Sequence, residues 1–160
     1  MTKTKSLIKK KTPWYVTGLY FKCQTCGMCC SGPDGGYIWT TKPEIKLIAD
    51  FLKIPVEQLR EKYFKRAGLR TTIIEHPHTK DCIFLQKIDG RKKCIIYPVR
   101  PNQCRTWPFW PNNLTNQNAW NKITAKCPGI NRDKFYSFEE IKKIKRNKKW
   151  WLNTNQTTCS

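Results

Sequence analysis

Four thiols lie within eight residues of the chain, at Cys23, Cys26, Cys29 and Cys30. Two C-x-x-C steps lead to an adjacent pair, and this spacing lets thiolates close on a soft metal ion or an iron–sulfur cluster through tight turns. Gly27 favours this interpretation, because a chain that wraps a metal often needs backbone angles that glycine adopts at little cost. A disulfide-bonded set, or a set of buried free cysteines, is the alternative that the pattern leaves open.

Further cysteines follow at long intervals along the chain. The eight candidate metal ligands are Cys23, Cys26, Cys29, Cys30, Cys82, Cys94, Cys104 and Cys127. Eight thiols match the ligand count of two four-thiolate sites, with the rest of the chain as a scaffold. Cys159 lies in a polar tail and is not counted. His76 and His78 could add imidazole ligands, but surface histidines more often have no special role, so they are not counted either.

The adjacent pair Cys29 and Cys30 bears on the number of centres. Neighbouring side chains in an extended chain point to opposite sides, so one tetrahedral ion takes both only if the backbone turns sharply there. The pair is therefore expected to give one thiol to each of two neighbouring sites.

A hairpin in the middle of the chain gives a second indication of the same kind. Two β-rich stretches flank a turn at residues 89–90, which places Cys82 opposite Tyr97 and Cys94 opposite Leu85. The two thiols would then lie about 10 Å apart along the ribbon at the usual rise per residue. This separation favours two centres, or one larger cluster, over a single shared ion.

Two arginines flank Cys104 in a proline-rich segment, at Arg100 and Arg105. Guanidinium groups near thiolates offset negative charge and donate hydrogen bonds to sulfur, which adjusts the stability and potential of a metal centre. We therefore interpret both arginines as supporting residues of the metal site. Ordinary surface arginine is the alternative.

The chain is strongly basic, with 31 Lys and Arg against 11 Asp and Glu and a net charge of +20. This balance attracts nucleic acid, anionic lipid or an acidic protein, or else reflects a lysine-rich solvated surface. The positive charge is concentrated near the two ends, in residues 3–11 and 142–149. Such a distribution is typical of tails rather than of a shaped groove, so nucleic acid is not the favoured partner.

Targeting signals are not found in the sequence. The basic N-terminus lacks the apolar stretch and cleavage pattern of a secretory signal, and no apolar run approaches the roughly 20 residues that span a bilayer. We therefore expect a cytoplasmic protein. A reducing cytosol favours metal ligation over disulfide bonds.

Local patterns predict an α+β fold, with short strands around the cysteines and two or three helices packed outside. Strands are expected in residues 13–22, 37–40 and 69–75 and in the hairpin, while 120–124 fit a strand or a helix start. Helices are expected from the Thr41–Glu44 capping box, after Pro55, and from the Ser137–Glu140 capping box. The resulting parts are a disordered basic tail (1–12), a metal-binding domain (13–132), a basic helix (133–152) and a polar tail (153–160).

These motifs together resemble the YkgJ-type CxxCxxCC cysteine-cluster proteins. The shared pattern includes Cys23-x-x-Cys26-Gly27-x-Cys29-Cys30, Cys82-x-Phe84-Leu85, Arg100-Pro101-x-x-Cys104-Arg105 and Cys127-Pro128-Gly129. The resemblance covers roughly residues 20–132 and implies metal binding through the eight cysteines, with zinc, iron or an iron–sulfur cluster. A related cysteine-cluster region occurs in flagellin lysine methylases. The resemblance therefore implies protein modification as one candidate role.

Three hypotheses of function follow, of which the last, an enzyme of the protein-methylating type, depends on the family analogy alone. The first is a metal-thiolate protein that uses an iron–sulfur cluster, zinc or iron in redox chemistry or as an accessory to protein modification. The second is a zinc-stabilised basic module that binds nucleic acid. Glycine-rich nucleotide loops and a G-x-S-x-G elbow are missing from the sequence, so we assign no catalytic residue.

Overall fold

The computed structural model describes residues 12–147, which contain seven strands and five helices. The strands are β1 (Leu19–Phe21), β2 (Trp39–Thr40), β3 (Phe64–Ala67), β4 (Arg70–Ile73), β5 (Leu85–Ile88), β6 (Arg91–Cys94) and β7 (Ile130–Tyr136). The helices are α1 (Lys42–Leu52), α2 (Val56–Tyr63), α3 (Asn102–Arg105), α4 (Gln117–Thr124) and α5 (Phe138–Arg146). Short 3-10 turns cover Met28–Cys30 and Tyr97–Val99.

Three small antiparallel sheets organise these elements. β1 pairs with β7, β4 lies between β2 and β3, and β5 pairs with β6 as a hairpin. The α+β fold class predicted from the sequence is confirmed, although five helices stand where two or three were expected. None of the helices within residues 12–147 is both long and apolar enough to cross a bilayer.

Capping explains where two of the helices begin. Glu44 Oε2 accepts the backbone N–H of Thr41 at 2.8 Å, and Glu140 Oε2 accepts that of Ser137 at 2.8 Å. Both predicted capping boxes are therefore present, because each glutamate satisfies a donor that has no partner within its helix. The last helix starts at Phe138, since residues 133–136 of the predicted helix belong to β7, and residues 148–152 lie outside the described part.

Two buried clusters form the interior. The first core packs α1 and α2 against the three-stranded sheet and contains Ile45, Ile48, Leu59, Phe64, Ile73, Phe84 and Ile96. The second core lies around the β1–β7 pair and contains Tyr15, Phe21, Phe109, Leu114, Trp120, Ile130 and Ile141. Aromatic rings dominate the second core, where Phe109 stacks on Trp120 with ring centroids 5.9 Å apart.

The hairpin confirms one predicted register and corrects the other. β5 and β6 turn at residues 89–90, and Leu85 lies opposite Cys94 as expected. Cys82 opposite Tyr97 is wrong, because the chain bends before β5, where Leu85 N–H donates to Cys82 O at 2.8 Å. Cys82 instead forms an antiparallel bridge with Glu75. The ambiguous residues 120–124 are helical, as part of α4.

Candidate metal centre

One cavity of about 260 Å³ collects most of the cysteines that the sequence singled out. Its wall contains six of them, Cys23, Cys29, Cys30, Cys82, Cys94 and Cys104. Ile73 and Ile96 of the first core line one part of the wall, and Phe21 and Phe109 of the second core line another. The cavity therefore lies where the two cores meet, and its thiols come from widely separated segments.

The loop that carries Cys29 and Cys30 turns more sharply than an extended chain. Gly27 has φ +73°, in the left-handed region that glycine favours, and Cys30 N–H donates to Gly27 O at 2.9 Å. The 3-10 turn that follows brings the two Sγ atoms to 3.7 Å. Both thiols line the same cavity, so the premise that this pair separates to two sides is wrong here.

Long-range backbone contacts bring Cys82 to the same loop. Its backbone N–H donates to Cys30 O at 2.8 Å. Cys94, at the end of β6, lines the same cavity, so the hairpin does not direct the two thiols to separate spaces. The bend before β5 explains this, because it takes Cys82 out of the ribbon.

Cys104 is held through its neighbours on the short helix α3. Glu44 Oε1 accepts the N–H of Asn102 at 2.7 Å, which ties the start of α3 to the start of α1. The buried side chain of Gln103 accepts the N–H of Trp39 at 2.8 Å and donates to Tyr37 O at 2.9 Å. The two residues that precede the thiol, Asn102 and Gln103, are thus anchored to other elements.

Replacing Glu44 with alanine is expected to lower the free energy of unfolding by about 2 kcal/mol or more, because donors at the starts of both α1 and α3 lose their acceptor. Urea unfolding of metal-free protein measures this change. Glu57→Ala is the matched control, since Glu57 is an exposed residue in the first turn of α2 and should change stability by only about 0.5 kcal/mol. Equal losses in the two variants would contradict the bridging role of Glu44.

Burial determines how the cavity thiols ionise. It raises the pKa of Cys82 to about 12 and also raises the pKa values of Cys94 and Cys104. The hydrogen bond within the adjacent pair lowers the pKa of Cys29 to about 7 and raises that of Cys30. A bound metal cation would replace the protons of these thiols, and thiolate sulfur is the donor that soft metals prefer.

The Lys and Arg side chains on the cavity wall make it positively charged. Among the described residues, Lys22, Arg100, Arg105 and Lys134 line the cavity, and no carboxylate does. Arg100 donates from Nη1 to Tyr97 O at 2.7 Å, and its charge acts to lower the pKa values of Cys29 and Cys94. Both predicted arginines thus border the cavity. The two lysines were not predicted, because Lys22 precedes Cys23 without forming a recognisable motif and Lys134 lies outside the cysteine motifs.

Two of the eight predicted ligands lie off the cavity wall. Cys26 is half-buried, and Cys127 is buried in the second core. Lys22 N–H donates to Gly129 O at 3.0 Å, so the segment of Cys127 runs beside that of Cys23. The assignment of all eight cysteines as ligands stays a prediction.

Within residues 12–147, no three Cys, His, Asp or Glu side chains converge as the ligands of a single ion do. The six cavity thiols surround a space instead of a point. His76 and His78 do not line that space. Cys159 lies outside the described residues.

Comparisons with known proteins agree with this chemistry. A curated relative, "Uncharacterized protein MJ0661" of Methanocaldococcus jannaschii, is 36% identical over 101 residues, which are 63% of this chain and 51% of the relative. The chain thus spans about half the length of that relative. No solved structure matches the chain. The family model named CxxCxxCC, described as "Putative zinc- or iron-chelating domain", matches residues 22–128. The match covers well over half of the sequence and confirms the resemblance drawn from the motifs, so this chain belongs to the CxxCxxCC family.

Proposed function

We propose that this protein holds an iron–sulfur cluster in the cavity between its two cores and acts in redox chemistry or as an accessory to protein modification. The observation that carries the proposal is the arrangement of six thiols around one space of about 260 Å³. A single zinc ion needs four ligands that converge on one point, whereas a cluster presents several iron atoms to thiols that stand apart.

Residues of the wall fit such a group in a second way. Trp107 borders the cavity, and its indole Nε1 is buried without a hydrogen-bond partner among the described residues. A buried donor without an acceptor costs about 1–3 kcal/mol. Cluster sulfurs and ligand thiolates are acceptors, so a bound cluster offers this N–H a partner.

The chain's own residues would determine how such a cluster behaves. Arg100 and the other cations of the wall offset thiolate charge, which stabilises the more negative, reduced form. Phe109 and Trp107 shield one part of the cavity from water, whereas Cys23 and Cys29 are exposed and leave another part accessible. When bound, an iron–sulfur cluster supplies one-electron transfer.

The test is metal and acid-labile sulfide analysis, with an ultraviolet–visible spectrum, on protein purified without oxygen. Iron together with sulfide, and a brown colour, are the expected results. Zinc without sulfide would overturn the cluster and favour the zinc-stabilised basic module, whose binding to nucleic acid should weaken steeply with salt. Protein that contains neither metal would overturn metal binding itself and return the cysteines to the disulfide interpretation.

A further inference from the structure

We infer that Asp81, Lys92 and Ser31 form a brace that positions three cysteine segments before a metal binds, and this inference rests on the proposed function. Each brace residue stands close to a cavity thiol along the chain. Ser31 follows Cys30, Asp81 precedes Cys82, and Lys92 lies two residues before Cys94. The three side chains meet one another, so the segments that carry these thiols are linked to each other.

Hydrogen bonds define the brace. Lys92 Nζ donates to Asp81 Oδ2 at 2.8 Å and to Ser31 Oγ at 3.0 Å. Asp81 Oδ1 accepts the backbone N–H of Gly32 at 2.9 Å, and Ser31 Oγ donates to Gly27 O at 3.1 Å. Both oxygens of one carboxylate are thus used, one toward the hairpin and one toward the cysteine loop.

Close packing leaves the cysteine loop little room to shift. A Cβ added to Gly27 would lie 2.8 Å from Leu85 Cδ1 and 3.1 Å from Lys92 Cβ. A Cβ added to Gly32 would overlap the carbonyl oxygen of Thr79. The loop therefore lies directly against the hairpin at one glycine and against the segment before Asp81 at the other.

Burial of the carboxylate distinguishes this ion pair from the Lys93–Asp89 pair of the hairpin. The side chain of Asp81 is 17% exposed, whereas that of Asp89, which pairs with Lys93 at 3.9 Å, is 87% exposed. Exposed pairs contribute little, because water screens the charges and two mobile side chains must be held in place. A partly buried carboxylate that also accepts a backbone N–H forms stronger, charge-assisted hydrogen bonds. Asp81 therefore restrains the cysteine loop, whereas the exposed Asp89 has little effect on the residues around it.

The test uses Asp81→Asn and Lys92→Met, with Ser31→Ala as a milder variant that removes one hydroxyl. Co²⁺ titration of metal-free, reduced protein gives the affinity, and the absorption bands of bound Co²⁺ report the arrangement of its ligands. We expect about tenfold weaker binding with shifted bands, as when the outer supports of metal ligands are removed. Lys92→Arg should restore both values, because arginine keeps the charge and can reach two acceptors. Asp89→Asn should match the unaltered protein, since it removes an exposed pair in the same hairpin.

Hydrogen exchange of the metal-free protein is the second measurement. Amides of residues 27–32 should exchange about tenfold faster in Asp81→Asn and Lys92→Met, whereas those of β4 should be unchanged. A general loss of stability would accelerate amide exchange in both regions, and that result would overturn the specific role of the brace. If all variants have the exchange rates and Co²⁺ affinities of the unaltered protein, the brace is overturned while metal binding stands. If the unaltered protein binds neither iron nor Co²⁺, the proposed function fails, and the exchange rates alone decide whether the brace exists.

Discussion

Cys104→Ser is expected to remove the bound metal completely, because Cys104 lies on the cavity wall, directly after two residues that are bonded to Glu44 and to Trp39. Serine is a poor ligand for soft metals, and a rigid backbone prevents another side chain from taking its place. Metal analysis of protein purified without oxygen measures the effect. The altered protein should also fold poorly. The site does not exist in the unfolded chain, so the free energy of metal binding adds to the free energy of folding.

Two further substitutions make this result specific. Cys159→Ser should keep full metal content, because this cysteine is not among the eight candidate ligands. Cys26→Ser tests how far the ligand set extends, since Cys26 is a predicted ligand that does not line the cavity. We expect it to lose metal as well. Native metal content and stability in Cys104→Ser would show that the ligand assignment is wrong at that position.

Removing the metal from the unaltered protein should lower its stability by a large amount. Cysteines from segments far apart in the chain line a cavity between the two cores, so a group bound by them would join both cores. Structural zinc contributes on the order of 10 kcal/mol to zinc-finger peptides, which are unfolded without it; here we expect a loss of several kcal/mol, because two apolar cores remain without the metal. Denaturant unfolding before and after treatment with a chelator, under reducing conditions, measures this contribution.

The same treatment applied to Cys104→Ser provides the control. This variant should already lack metal, so the chelator should leave its unfolding midpoint unchanged. Unaltered protein whose midpoint is the same with and without metal would contradict a structural contribution of the site. The proposed function would then depend on metal analysis alone.

Local sequence signals predicted local structure well. Thr41 with Glu44, and Ser137 with Glu140, marked two helix starts, because a capping box depends on residues only three positions apart. The turn at residues 89–90 was also predicted, since that type of hairpin turn needs positive φ at both residues, and Asp89 and Gly90 have φ of +51° and +76°. Each of these features depends on neighbours along the chain.

Two expectations about the thiols were wrong because they assumed regular extended chain: that Cys82 lies opposite Tyr97, and that Cys29 and Cys30 point to opposite sides. The number of metal centres stays a prediction. Cys29 and Cys30 lie on a 3-10 turn, and Cys82 lies on a bend outside the hairpin. The carboxylate of Asp81 and the ammonium of Lys92 had no recognisable motif either, because their partners are set by the meeting of separate segments. Patterns of periodicity cannot report such contacts.

Sequence alone determined the chemical class of the site, because soft-metal binding depends on side-chain type and on the close spacing of Cys23 to Cys30. It also determined the family, which the match over residues 22–128 confirms. Only the tertiary structure decided which cysteines share one space. Cys82 reaches the cysteine loop through a bond to Cys30 O, and Cys104 is placed by Glu44 through Asn102. These contacts join residues about 50 to 60 positions apart in the sequence. Periodic patterns connect only near neighbours in the sequence, so they could not predict such contacts.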